Sequence, residues 1–262
     1  VALKLISERE HEIEQFIPKE YWTLESNFTN LNSKIIPSKL IYYNSNKIEK
    51  FSFTDKNKVD EAVKMINSKE YIVSDISSQI YKRNPSAPFT TSTLQQVSSS
   101  KCGFGASRTM QIAQKLYQGI DIEGETVGLI TYMRTDGTQI SNEAIGSFRN
   151  YIDTNFGKKY LPTTQNNYSG KKAKNAQEAH EAIRPTEIDR SPDKVKKYLN
   201  SDQHKLYDLI WSRALSSQMQ SAEYDRNTIL ISSKDQSIKF RASGSILKFD
   251  GYLKLYKDLE NK

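Results

Sequence analysis

The sequence predicts an α+β protein in which a discontinuous β-rich part is interrupted by a mainly helical insert. Three observations carry this. Apolar and polar residues alternate with strand periodicity through much of 21–83. From about 84 to 220 the apolar residues recur at helical spacing, after the break Asn84-Pro85-Ser86-Ala87-Pro88. Alternation then returns over 222–256. Two β-rich stretches flanking a helical one describe a single β domain with a second domain threaded into it, divided here as 1–20, 21–83 with 221–262, and 84–220.

The elements follow in order. Residues 1–17 form an amphipathic helix: Ala2, Leu5, Ile6, Ile13, Phe16 and Ile17 share a face, and Pro18 ends it. The runs "YWTLESNF", "SKLIYYNS" and "KFSF" read as strands separated by Asn and Ser. Residues 58–68, with Val59, Ala62, Val63 and Ile66, form a short helix, and "YIVSDISSQIYKR" a strand. In the insert, Thr91 or Ser92 caps a helix to about Lys101, Gly103-Phe104-Gly105 turns the chain, and a second helix runs from about Ser107 to Gln118. A hairpin over 119–134 follows, with its tip at Glu123-Gly124-Glu125. Helix, turn, helix and hairpin outline a winged helix, and equally a plain helical pair packed on a hairpin. "YDRNTILISS", "SIKFRASGSI" and "GYLKLY" complete the strands.

The stretch 128–136, "GLITYMRTD", holds the most specific chemistry. If it is extended, Tyr132 and Arg134 point to the same side, roughly 6 to 7 Å apart. A phenol beside a guanidinium suits attack on a phosphodiester, the phenolate as nucleophile and the planar fork gripping phosphate oxygens. An ordinary tyrosine, with pKa near 10, is about one part in a thousand ionised at neutral pH, so such attack needs proton removal or strong charge stabilisation. The same spacing also describes a half-buried Tyr beside a solvated Arg.

A second constellation, "QEAHEAIRP" (177–185), puts His180 and Arg184 four residues apart, on one face if helical. Both suit an anionic phosphate, and His180 is the group able to titrate near neutrality. A zinc reading through Glu178 or Glu181 fails, because Arg184 stands where HExxH requires a second ligand. Lys158, Lys159, Lys171, Lys172 and Lys174, with Tyr160 and Tyr168 between them, resemble a basic, aromatic-interleaved surface for single-stranded DNA, or simply solvated loop. His11 and His204 are assigned no function.

Composition narrows the classes. The net charge of +7, from 38 Lys and Arg against 31 Asp and Glu, favours a polyanionic partner. A mean hydropathy of −0.69 and the lack of a long apolar run argue against a membrane span. The lone Cys102 leaves no intrachain disulfide or cysteine zinc cluster, consistent with a cytoplasmic setting. There is no G-x-x-x-x-G-K-[ST] or G-x-G-x-x-G loop for a nucleotide cofactor.

"GLITYMRTDGTQIS" resembles the active-site segment of bacterial type IA DNA topoisomerases, and Met133 resembles the topoisomerase I branch. "VALKLISEREHEIEQFIP", "SAPFTTSTLQQVSSSKCGFGASRTMQIAQKLYQG", "NFGKKYLP", "QEAHEAIRP" and "LKFDGYLKLY" resemble the same family in the same order. Gly137 departs from it, standing where the family generally has serine. The resemblance implies a β-rich arch carrying a winged-helix-like domain with the nucleophile Tyr132, Arg134 as clamp on the scissile phosphate, His180 at that phosphate, and Arg184 either at DNA or holding its loop. It implies transient single-strand cleavage through a 5′-phosphotyrosyl link, strand passage and religation, relaxing negatively supercoiled DNA without ATP. It also implies magnesium held by Toprim carboxylates outside this chain, a nucleoid location in the cytoplasm, and a central fragment inactive alone. The competing reading is a non-catalytic winged-helix DNA-binding module. A tyrosine recombinase or type IB enzyme fits less well, since Tyr132 lies mid-chain.

Overall fold

The computed structural model describes residues 1–29, 33–168 and 180–256, in two compact units. One comprises Val1–Ile80 and Asp225–Ile246; the other comprises Tyr81–Tyr224 and the segment from Leu247. Residues 247–256, grouped by sequence with the β-rich part, thus pack in the second unit.

The first unit opens with α1 (Ala2–Glu14). It ends three residues short of the expected Ile17, and none of its side chains is buried: Leu5 and Ile6 are each 61% accessible, and Phe16, beyond its end, 72%. A sheet runs in the order β1 (Glu25–Thr29), β2 (Ile35–Tyr43), β8 (Lys239–Phe249), β7 (Ala222–Ser233) and β4 (Tyr71–Arg83), with β3 (Asn46–Lys47) on β2. β1, β3 and β8 each pair antiparallel with β2; Leu40 opposes Phe240, and the register shifts between Leu40 and Tyr42. The helix α2 (Lys56–Asn67) starts where the Asp55 carboxylate accepts the Asn57 amide at 2.8 Å. Val59, Ala62 and Ile66, at helical spacing, pack with Leu40, Phe53, Ile231, Ile238 and Phe240. Phe28, Tyr71 and Phe240 meet edge to face, with centroids 5.1 to 5.8 Å apart. Residues 50–53, expected as a strand, instead lie in a turn region, with the Phe53 carbonyl accepting the Trp22 amide at 2.9 Å.

The second unit is helical around one core. α3 (Thr91–Cys102) is capped by Thr90, not by Thr91 or Ser92 as the sequence suggested, because Thr90 and Thr93 form a reciprocal capping box. α4 (Ala106–Gln118) leads into the hairpin of β5 (Ile120–Ile122) and β6 (Glu125–Val127). α5 (Asn142–Phe156), the short α6 (Pro192–Val195) and α7 (Ser201–Ser217) complete it. α7 is capped by an Asn200–Gln203 box and buries Leu206, Tyr207, Ile210, Trp211, Ala214 and Leu215. Each of the larger side chains contributes about 1.5 to 3 kcal/mol of transfer free energy. They pack with Leu94, Ile112, Leu116, Phe148, Ile152 and Ile183. Residues 251–256, expected as a strand, include a 3-10 turn instead: Gly251 has φ 50°, the Tyr252 amide donates to the Gln220 carbonyl at 2.9 Å, and Tyr252 and Leu253 enter this core. No described helix is long and apolar enough to cross a membrane.

Candidate active site

The segment 128–136 leaves the hairpin at Val127 and is not a ladder strand, contrary to the expected hairpin over 119–134. Its backbone bonds instead go to several neighbours. Leu129 donates to the Leu116 carbonyl at 2.8 Å, Thr131 to the Arg184 carbonyl at 2.9 Å, and Thr135 to the Thr91 hydroxyl at 2.8 Å. Pairing with 183–186 is limited to one bridge, Ile130 with Pro185, since proline has no amide to donate.

The alternation expected of an extended chain nevertheless holds from residue 132. Met133 and Thr135 are buried, at 1% and 7% accessibility, while Tyr132, Arg134 and Asp136 are exposed. Met133 sits in the helical core. The Thr91 hydroxyl donates to the Met133 and Thr135 carbonyls at 2.8 and 3.0 Å, tying the segment to the start of α3. Gly128 and Gly137 bracket the segment where other backbone comes close. A Cβ at 128 would lie 2.7 Å from the Tyr117 carbonyl oxygen, and one at 137 would overlap the His180 carbonyl oxygen.

Residues 180–185 are extended, not helical, so His180 and Arg184 do not share a helix face. Ala182 and Ile183 donate to the carbonyls of Gln139 and Phe89 at 2.8 and 2.9 Å. The Thr131 and Thr135 hydroxyls donate to the carbonyls of Ala182 and His180 at 2.8 and 3.0 Å. This lacing sets the exposed His180 ring edge-on to Tyr132, centroids 5.6 Å apart. Tyr117, from the last turn of α4, meets Tyr132 likewise at 5.4 Å.

Arg134 is exposed and its side chain has no hydrogen-bond or ion-pair partner among the described residues. It lines a groove along α4. Arg184 is engaged within its own loop. Its Nε and Nη2 reach Glu181 Oε2 at 2.7 and 2.6 Å, and Nη1 donates to the Pro185 carbonyl at 3.0 Å. Glu181 also accepts the Ser141 amide at 3.0 Å, at the N-cap of α5.

Lys158 and Lys159 are exposed on a 3-10 turn, with Lys159 Nζ 5.1 Å from the Tyr160 ring centre. The tyrosines expected to interleave with the lysines serve the fold instead. Tyr160 is buried and donates to Asp250 at 2.9 Å; Tyr168 donates to the Ser217 carbonyl at 2.9 Å and the Pro85 carbonyl at 3.2 Å. Burial pushes both phenols up to about 12, with the Asp250 contacts adding at Tyr160. Lys171, Lys172 and Lys174 lie outside the described residues. Cys102 ends α3, half-buried, and burial pushes its thiol up, away from reactivity. Among the described residues no three His, Cys, Asp or Glu side chains gather into a metal site.

Tyr117 carries no local sequence signal. Its contact with Tyr132 arises only when α4 and the hairpin fold back on each other. Thr91 and Thr135 likewise look like ordinary helix-start and turn residues until they meet.

An exposed tyrosine held between a histidine and a second tyrosine, two residues from an arginine with no partner among the described residues, defines a site suited to nucleophilic work on an anionic ester. The family model described as DNA topoisomerase matches residues 1–262. DNA topoisomerase 1 of Rickettsia felis is 46% identical over 98% of this chain, and that of Campylobacter jejuni 41% identical over 99%. The full-length topoisomerase I of Thermotoga maritima superposes with a TM-score of 0.77 at 38% identity, over 97% of this chain and 39% of that one. The chain therefore belongs to the DNA topoisomerase family, in its bacterial topoisomerase I branch. It spans about a third of the length of these relatives, 33% for R. felis and 36% for C. jejuni.

Proposed function

We propose that this chain supplies the nucleophile with which a type IA topoisomerase opens one DNA strand. The observation that carries the reading is Tyr132: its ring is exposed while Met133 beside it is anchored in the core, so the phenol is presented on a fixed base. In the proposed step Tyr132 Oη attacks phosphorus in a single-stranded segment. The Oη–P bond forms, the P–O3′ bond breaks, and the 5′-phosphate stays on the tyrosine. The phenol proton leaves and the departing 3′ oxygen takes up a proton; religation reverses both transfers. Arg134, which has no partner among the described residues, grips the phosphate oxygens. His180, packed on the Tyr132 ring, adds a further group for the phosphate.

One phosphoester is exchanged for another, so the cycle needs no nucleotide hydrolysis, and a second strand passes before resealing. The result is relaxation of negatively supercoiled DNA. Magnesium would be held by carboxylates outside this chain; among the described residues no three His, Cys, Asp or Glu side chains gather. This role belongs to the bacterial cytoplasm, at the nucleoid. Lys158 and Lys159 remain candidate backbone contacts because they are exposed. Arg184 is better suited to holding the loop, because Glu181 and the Pro185 carbonyl occupy its guanidinium.

The test uses the natural polypeptide that carries this chain. Tyr132→Phe is expected to abolish a denaturant-resistant DNA adduct while keeping single-strand binding and thermal stability, since only a hydroxyl is removed. An adduct that survives in this variant assigns the chemistry to another residue. Sequence-selective binding to duplex with no adduct from the unaltered protein returns the helix pair and hairpin to a DNA-binding module.

A further inference from the structure

A groove of about 490 Å³ runs along α4 and reaches Arg134. Gln111, Gln114, Lys115 and Gln118 line it, spaced i, i+3, i+4 and i+7, so they form one stripe roughly 10 Å long. Among the described residues these four side chains have no hydrogen-bond or ion-pair partner. Of the other polar groups of the groove, the Ser107 hydroxyl also has no partner among the described residues, and the rest are at least partly engaged. Arg108 pairs with Asp202 at 2.6 Å, and Asn200 with Gln203 forms the α7 cap through bonds of 2.9 and 3.0 Å. The free polar capacity of this concavity is therefore chiefly the carboxamides of Gln111, Gln114 and Gln118, the Ser107 hydroxyl and two cations, Lys115 and Arg134.

That combination has a specific chemical meaning. A phosphate only accepts hydrogen bonds, and Lys115 and Arg134 serve it fully. A carboxamide offers a donor and an acceptor side by side, which matches the edge of a nucleobase. Met110 and the largely buried Ile112 add apolar surface beside the amides, and a thioether is a favourable neighbour for an aromatic face. The volume falls in the range of small-molecule sites.

We propose that this groove holds one unstacked nucleotide of the strand flanking the scissile phosphate, and so sets the cleavage-site preference. Its phosphate lies on Lys115 and Arg134, and its base edge on Gln111, Gln114 and Gln118. The inference rests on Tyr132 being the nucleophile. A solvated helix face would carry the same residue types, but it would not form a concavity ending at the proposed phosphate clamp.

The experiment maps covalent cleavage sites on single-stranded oligonucleotides varied at each position around the cut, using the natural polypeptide that carries this chain. The unaltered protein should discriminate among bases at one flanking position. Gln111→Ala combined with Gln114→Ala should flatten that preference by roughly tenfold, the scale of a bidentate base contact, while cleavage elsewhere persists. Alanine favours helix, so the melting temperature should not fall. Lys115→Gln should independently weaken single-strand binding and reduce its log–log salt slope by about 0.7. A site distribution unchanged in the double variant overturns the base-reading role, and an unchanged slope in Lys115→Gln overturns the phosphate contact. Absence of any adduct from the unaltered protein overturns the reading of Tyr132 itself, a result distinct from either.

Discussion

Gly137 shows how closely single residues govern this site. Its α-carbon lies against the His180 carbonyl, and the Thr135 hydroxyl both accepts the Gly137 amide at 2.9 Å and donates to that carbonyl at 3.0 Å. A methyl group here has nowhere to go without moving backbone. Gly137→Ala should therefore displace the 180–183 segment, destabilise the protein by about 1 to 3 kcal/mol as other overpacking changes do, and lower cleavage. Thermal melting and the rate of adduct formation check this. An alanine variant with unaltered melting and unaltered rate refutes the close approach. The position also makes sense of the departure from the family's usual serine: with this packing a β-carbon would need the His180 strand to sit farther away. Four residues earlier, the burial of Met133 likewise leaves Tyr132 and Arg134 facing outward.

At the scale of elements, the start of α3 and the nucleophile segment form one structure. Thr91 contributes its amide to the Thr135 carbonyl at 2.8 Å, and its hydroxyl serves the Met133 and Thr135 carbonyls and the Thr135 amide. Thr91→Val keeps the shape and removes the hydroxyl, leaving partly buried backbone groups without partners. It should destabilise by about 1 to 3 kcal/mol. Because the lost bonds orient Tyr132, adduct formation should also slow, whereas Thr90→Ala, which removes only the helix cap, should cost about 1 kcal/mol with less effect on rate. Denaturant titration and single-turnover cleavage separate the two. Equal effects of both variants on rate would place the Thr91 contribution in helix stability alone. The helix limits were only approximately legible beforehand: Asp55, Thr90 and Asn200 are ordinary capping types, but the sequence pointed to Thr91 or Ser92 for α3 and to residue 58 for the start of α2. The strand expected at 128–134 was not, because apolar β-prone residues there fill a core through scattered bonds to α4, to 182–184 and to Thr91.

For the molecule as a whole, buried phenols set the alkaline limit of stability. Tyr71 in the first unit and Tyr160 and Tyr168 in the second are each pushed up to about 12, chiefly by burial, with nearby Asp235 and Asp250 reinforcing the first two. In the unfolded chain these groups ionise near 10. The folded state thus holds its protons over a window in which the unfolded state releases them. Their stabilisation is complete below about pH 10 and is lost as pH rises toward about 12. A tyrosinate absorbance titration should show a late-ionising group of tyrosines whose ionisation coincides with unfolding by circular dichroism. If all 15 tyrosines titrate together before unfolding, the burial argument fails.

The sequence by itself determined most of the α and β segments and the chemical types at the site, though not the α3 cap or the segments 50–53, 128–134 and 251–256. Strand alternation, helix periodicity and turn residues are local, and they are written in neighbouring residues. It also singled out Tyr132, Arg134 and His180. Only the tertiary structure decided which of these meet. His180 reaches Tyr132 through bonds between segments about 50 residues apart in sequence, and Tyr117 joins them across the hairpin. Arg184, read as a partner of His180 on a helix, turns to Glu181 because Pro185 and the bridge to Ile130 keep the chain extended. Tyr160 and Tyr168, which looked like a surface for bases, are instead tied to the fold, Tyr160 in the core by Asp250 and the half-buried Tyr168 by the carbonyls of Pro85 and Ser217. In each case the deciding partner is distant in sequence, and a buried polar group must take whichever partner the packing brings within reach.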